Sequence, residues 1–136
     1  MLQTCAALAF GLALAACSSP ADIRSAQAAV GQFHQALNAG GFDAIYDQSA
    51  PAMKAATPRD KFVKFLAAVH RKLGVAGATA DQGFNVNYST SGQFVTLTYA
   101  TTYANGPAQE SFVFRLDHGA ASLVGYHINS DALIMN

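Results

Sequence analysis

Cysteine is nearly absent: the 136 residues hold two, Cys5 and Cys17, both close to the start. The body of the chain therefore has no disulfide framework, and its fold has to stand on its core. Charge is scarce as well. Eight Lys and Arg offset eight Asp and Glu, so the formal net charge is zero and the pI is near neutral. Proteins that grip a phosphate backbone carry a basic excess, and without one no nucleic-acid partner is expected. The longest apolar stretch falls short of the roughly 20 residues a spanning helix needs. Also missing are Gly-x-Ser-x-Gly, a phosphate loop, a dinucleotide fingerprint, and zinc-like spacings such as His-x-x-x-His or Glu-x-x-His. No metal, nucleotide or other cofactor is expected.

The apolar stretch that is present, Met1 to Ala16, has the length of a signal-peptide core and ends in Leu14-Ala15-Ala16-Cys17. That ending resembles the lipobox of bacterial lipoproteins, with an ordinary secretory signal as the alternative. The resemblance implies a signal peptide over residues 1–16, an acylated Cys17, a short tether over 17–21 and a membrane held through the lipid anchor. Ser18, where Gram-negative lipoproteins kept in the inner membrane commonly carry Asp, implies the outer membrane, facing the periplasm. Residues 22–136 remain, enough for one domain with a sizeable core and too few for two.

Within that domain Asp22 is placed to cap a helix reaching about Ala39, with Ile23, Ala26, Val30, Phe33 and Leu37 at helical spacing. A shorter helical piece follows at Phe42, Ile45 and Tyr46, interrupted at Ser49-Ala50-Pro51. Thr57 as N-cap and Pro58 as first residue open a third helix, with Phe62, Phe65, Leu66, Val69 and Leu73 in one stripe up to Gly74. This segment also gathers Arg59, Lys61, Lys64, Arg71 and Lys72 around a lone Asp60. Its plain reading is a solvated helix face, its functional one a surface for anionic headgroups or an acidic partner.

Gly74 to Gly83 reads as a flexible connection. Phe84, Val86 and Tyr88 then alternate with Asn85 and Asn87 as a strand that turns at Ser91-Gly92. Two longer strands meet at Asn105-Gly106, a pair suited to a type I′ turn. The register counted from that turn sets Tyr103 opposite Ala108, Thr101 opposite Glu110, Tyr99 opposite Phe112, Leu97 opposite Phe114 and Val95 opposite Leu116, all on one apolar face. For the last strand, a two-residue loop at His118-Gly119 would put Leu123 and His127 on the core face. A three-residue loop with Gly119 left-handed and a bulge would put Val124, Tyr126 and Ile128 there, and it is the one expected, because His suits positive φ poorly in a type I′ turn and because it buries the larger apolar set.

The expected fold class is α+β: three N-terminal helices packed on a curved four-stranded antiparallel meander. The run from Phe33 to Phe42, the helix start Thr57-Pro58-Arg59-Asp60-Lys61-Phe62 and the closing Leu123-Val124-Gly125-Tyr126 resemble the NTF2-like (SnoaL-like, cone-shaped) superfamily, and within it small bacterial lipoproteins. The resemblance implies a pocket between the concave sheet face and the helices, and dimers through the sheet in many members. The counted register brings Thr101, Glu110 and Tyr126 together on that face, with Tyr99 and Tyr103 a step away. An enclosed Glu110 could act as a base with a tyrosine as donor, as in steroid-isomerase-like members. It could equally be a structural partner of Tyr126. Only four residues past the turn, though, its plain reading is a solvated rim residue.

Two functions follow from the sequence. One is a lipid-anchored, non-catalytic binding or accessory domain for a small apolar ligand or a protein partner. The other is an enzyme of proton transfer or hydrolysis. With no complete catalytic constellation in view, the first is favoured.

Overall fold

The computed structural model describes residues 20–135, so the expected signal peptide and Cys17 lie outside the described residues. The elements are α1 (Pro20–Asn38), α2 (Phe42–Asp47), α3 (Pro51–Ala56), α4 (Arg59–Leu73), β1 (Ala76–Ser89), β2 (Gly92–Tyr103), β3 (Gly106–Asp117), β4 (Ala120–Asn129) and α5 (Asp131–Met135). The class is α+β, with an open antiparallel sheet in the order β1-β2-β3-β4.

The described residues form five helices where three were expected. Pro51 lacks an N–H and cannot continue the turn before it, so it opens α3 instead. The fifth helix follows β4, where Ser130 stops the strand by donating its hydroxyl to the Pro107 carbonyl. Thr57 does not cap α4 with its side chain; Pro58 occupies that place and the Thr57 carbonyl accepts from the Tyr46 hydroxyl at 2.7 Å.

The core lies between the helices and one face of the sheet. From α1 come Ala26, Val30, Phe33 and Leu37, from α4 Phe62, Leu66, Val69 and Leu73, and from the strands Val95, Leu97, Phe112, Phe114, Leu116 and Leu123. Each large side chain removed from water there contributes about 1.5–3 kcal/mol. Part of the basic segment is spent on structure. Arg59 pairs with Asp43 and Asp47 and lies 5.0 Å over the Tyr46 ring, fixing α2 to α4, while Lys72 donates to the Leu133 carbonyl of α5. Lys61, Lys64 and Arg71 stay exposed.

Both of the first two hairpins keep the expected faces and shift their partners by two residues. Tyr103 faces Gly106, Thr101 faces Ala108, Tyr99 faces Glu110 and Leu97 faces Phe112. The turn is thus Ala104-Asn105, and Gly106 just after it takes the positive φ of 149°. Tertiary contacts outbid the Asn-Gly preference: Asn105 donates its backbone N–H to Leu73 and its side chain to Lys72, and Ala104 donates to Val75. β1 likewise turns at Thr90-Ser91, with Phe84 opposite Leu97 and Val86 opposite Val95. The stretch expected to be a flexible connection is strand from Ala76 on, because the Asn38 amide holds both the N–H and the carbonyl of Ala76 at 2.8 and 3.0 Å.

β4 combines the two alternatives: the loop has two residues and not the three expected, while Tyr126 and Ile128 still reach the core face as expected. Asp117 pairs with Ala120 across a two-residue turn in which His118 and Gly119 have φ of 48° and 79°. His tolerates that region better than most side chains. The first half of the strand therefore buries Leu123, whose carbonyl accepts from Ala50 at 2.8 Å. A bulge then sets Val113 opposite Gly125 and Phe114 opposite Leu123, with Val124 as the extra residue. Past it the faces exchange: Tyr126 and Ile128 turn to the core and His127 to water.

Candidate functional site

Glu110 is not a rim residue; it is 0 % exposed. The end of the β2–β3 hairpin is closed over by the C-terminal end of α4 and by α5, whose Ala132 packs against Gly106. An isolated charge so buried would be prohibitive, and the chain surrounds it with donors. The Tyr103 and Tyr126 hydroxyls donate to Oε1, Tyr126 at 2.6 Å. Thr101 Oγ1 donates to Oε2 at 2.6 Å, and His34 Nε2 lies 2.7 Å from the same oxygen.

The four donors come from three elements. β2 presents Thr101 and Tyr103 on the face it shares with Glu110, and the Val124 bulge swings Tyr126 onto that face. His34 comes from α1, in the stripe Val30, Phe33, His34, Leu37. Aromatic rings wall the cluster. Phe33 stands edge-on to Phe112 at 5.1 Å, and His34 edge-on to the same ring at 5.8 Å.

Of the residues expected at a pocket, Thr101, Tyr103, Glu110 and Tyr126 come together. Tyr99 is buried on the same face but makes no bond to Glu110; its ring meets Phe112 at 6.3 Å. His34, the fourth donor, is not among the residues expected at the pocket. Its i, i+4 relation to Val30 was the available signal.

The electrostatics follow from this packing. Burial alone would push the Glu110 carboxyl up, but the hydrogen bond and charge of His34 and the Thr101 and Tyr103 hydroxyls outweigh it and hold it below the usual carboxylate range. Glu110 is thus an acceptor and His34 the donor. Burial first, then the Glu110 charge, drives the Tyr103 and Tyr126 phenols far above their ordinary value, so both keep their protons.

An ionised carboxylate has about four lone-pair positions. Here four donors occupy them. The group has no vacant acceptor position for a substrate proton, unlike a general base waiting in a pocket.

These shifts set a stability profile. The folded carboxyl titrates below its unfolded value of about 4.3, so its contribution is complete above that pH and drains away as pH falls through the lower, folded value. The phenols act oppositely: raised in the fold, they stabilise it fully below about pH 10 and ever less above it. Urea midpoints measured between pH 3 and 11 should decline on both flanks, and Glu110→Gln should flatten the acid one. An acid flank equally steep in that variant would contradict the assignment.

The open space is elsewhere. A cavity of ≈ 420 Å³ lies between α3, α4 and β4, lined by Met53, Ala56, Thr57, Lys61, Phe62, Phe65, Val124, Gly125 and Tyr126. Tyr126 therefore has its hydroxyl on Glu110 while its residue forms part of this wall. A smaller cavity of ≈ 70 Å³ sits among Phe33, Ile45, Phe114 and Leu123. No protein-family model matches the chain, and no curated protein matches it.

Proposed function

We propose that this is a lipid-anchored protein of the bacterial cell envelope whose NTF2-like domain binds a small apolar molecule without transforming it. The anchor is Cys17, and the protein faces the periplasm from the outer membrane. The observation that carries the binding half is the contrast at Tyr126: on one side a carboxylate with every acceptor position filled, on the other an open, largely apolar groove. Met53, Phe62, Phe65 and Val124 offer a ligand hydrophobic contact, and Thr57 and Lys61 supply polar groups beside them. The saturated Glu110 holds the floor of the groove in place and leaves proton-transfer chemistry without a base.

Phe65, 40 % exposed, is the residue to test, because truncating it removes groove surface at little expense to the core. Protein purified from the membrane fraction, its Cys17 acylation verified by mass, is titrated with an apolar fluorescent probe such as N-phenylnaphthylamine. Phe65→Ser should weaken binding about tenfold, the equivalent of 1.4 kcal/mol, with the melting temperature nearly unchanged. Equal affinity in Phe65→Ser and in Val124→Ser would place the probe outside the groove and sink this reading.

A further inference from the structure

Among the described residues, the half of β1 that follows its bulges is an edge without the usual protection. Natural edge strands are blunted by charge, proline, bulges or a covering element. β1 shifts register between Ala76 and Thr79 and between Asp81 and Gly83, and from Phe84 to Ser89 it pairs with β2 without interruption. Those six residues, Phe-Asn-Val-Asn-Tyr-Ser, include no charge and no proline. Because partners across a ladder share a face, Phe84 and Val86 point the same way as the buried Leu97 and Val95. Yet Phe84 is 59 % and Tyr88 49 % exposed, an apolar strip on the core side of the sheet that the helices leave uncovered. The outer edge of the strand also presents backbone N–H and carbonyl groups to pairing.

We infer that this segment is the contact of a twofold homodimer, in which β1 of one copy pairs antiparallel with β1 of the other. Symmetry and side-chain alternation nearly dictate the register. Residues opposite one another must lie on the same face, so the twofold axis has to pass through a residue that meets itself. With Val86 on the axis, Phe84 of each copy faces Tyr88 of the other, and Asn85 faces Asn87 on the far side of the sheet. The pairing stays within the unbulged stretch, sets aromatic on aromatic twice and opposes no like charges. Only six residues of each copy enter the ladder, a contact of the size that goes with reversible association. It joins the sheets edge to edge, which distinguishes it from association through their broad faces.

Disulfide trapping reads the register directly. The full chain with Cys5→Ser and Cys17→Ser, so that an introduced thiol is the only one, is purified in mild detergent and oxidised. Val86→Cys should give a disulfide-linked dimer. Phe84→Cys alone and Tyr88→Cys alone should stay monomeric, since each is separated from its own copy by about 13 Å along the strand. Mixing those two should restore the dimer. A mixture of Asn85→Cys with Asn87→Cys, on the opposite face, serves as a second readout if Val86→Cys fails to fold. A folded Val86→Cys that stays monomeric overturns the inference, as does trapping of equal yield at every position. It is overturned too if Val86→Cys stays monomeric while a tryptophan placed by Phe84→Trp shifts its emission to the blue on phospholipid vesicles, since a bilayer then covers the strip.

Discussion

Glu110→Gln destabilises the domain by about 3 kcal/mol, the lower end of the cost of breaking a buried, hydrogen-bonded charge pair. Its side chain keeps the size and shape of the original, so the loss isolates the polar network from packing. The new amide turns one acceptor oxygen into a donor facing two donors, either Tyr103 and Tyr126 or Thr101 and His34. Those groups can relax only by rotating their hydroxyls or turning aside, and Thr101, Tyr103 and His34 are buried away from water. For a domain of this size the melting temperature should fall by on the order of 10 °C. A thermal scan beside the unmodified protein is sufficient. A melting temperature within a degree or two would mean that the network contributes little to the fold, and Glu110 would again be a candidate for chemistry.

Phe112→Ala should cost as much or more, about 3–5 kcal/mol. Its ring is fully buried and stands at the centre of an aromatic cluster, with Phe33 and Tyr126 each at 5.1 Å and Phe114 stacked at 6.2 Å. The walls that would have to collapse into the space belong to a helix and to two other strands, so the cavity stays largely open. Phe112 also packs against His34 and Tyr126, two of the four donors to Glu110. The two substitutions are therefore coupled: Phe112→Ala combined with Glu110→Gln should lose less than the sum of the separate effects. Urea unfolding of the four proteins measures both quantities. A loss under about 1 kcal/mol for Phe112→Ala would show that the cluster closes over the gap.

Much of this architecture is legible from residue type and spacing, and the failures share a cause. Alternation placed Tyr99, Thr101, Tyr103, Glu110, Phe112 and Phe114 on the core face correctly. A side-chain period of two cannot detect a slip of two, however, so the choice of turn decided the partners. Asn105-Gly106 has the right local chemistry for that turn, and it lost to hydrogen bonds with Leu73, Lys72 and Val75, residues about thirty positions earlier. Ala76 to Gly83 carries the wrong residues for a strand and becomes one because Asn38 clamps its start. Glu110 looked solvated by its distance from the turn, since nothing local announces that two helix ends close over the hairpin. His34 shows another case: it stands at the flank of the apolar stripe Ile23, Ala26, Val30, Phe33 and Leu37, and only its spacing of four from Val30 signals that it is buried with them.

At Val124 it is the number of residues that the fold depends on. As the surplus residue of the bulge, Val124 is half-buried against the groove, and most replacements there would reshape the groove wall while leaving the strand intact. Removing the position altogether would erase the change of sides. His127 would then swing inward and Tyr126 out, so that Glu110 would lose one of its hydroxyls and Ile128 its place in the core. The chain is therefore tolerant of spelling at this position and intolerant of deletion. A variant shortened by one residue there would be a different protein from Gly125 onward, although every other amino acid were unchanged.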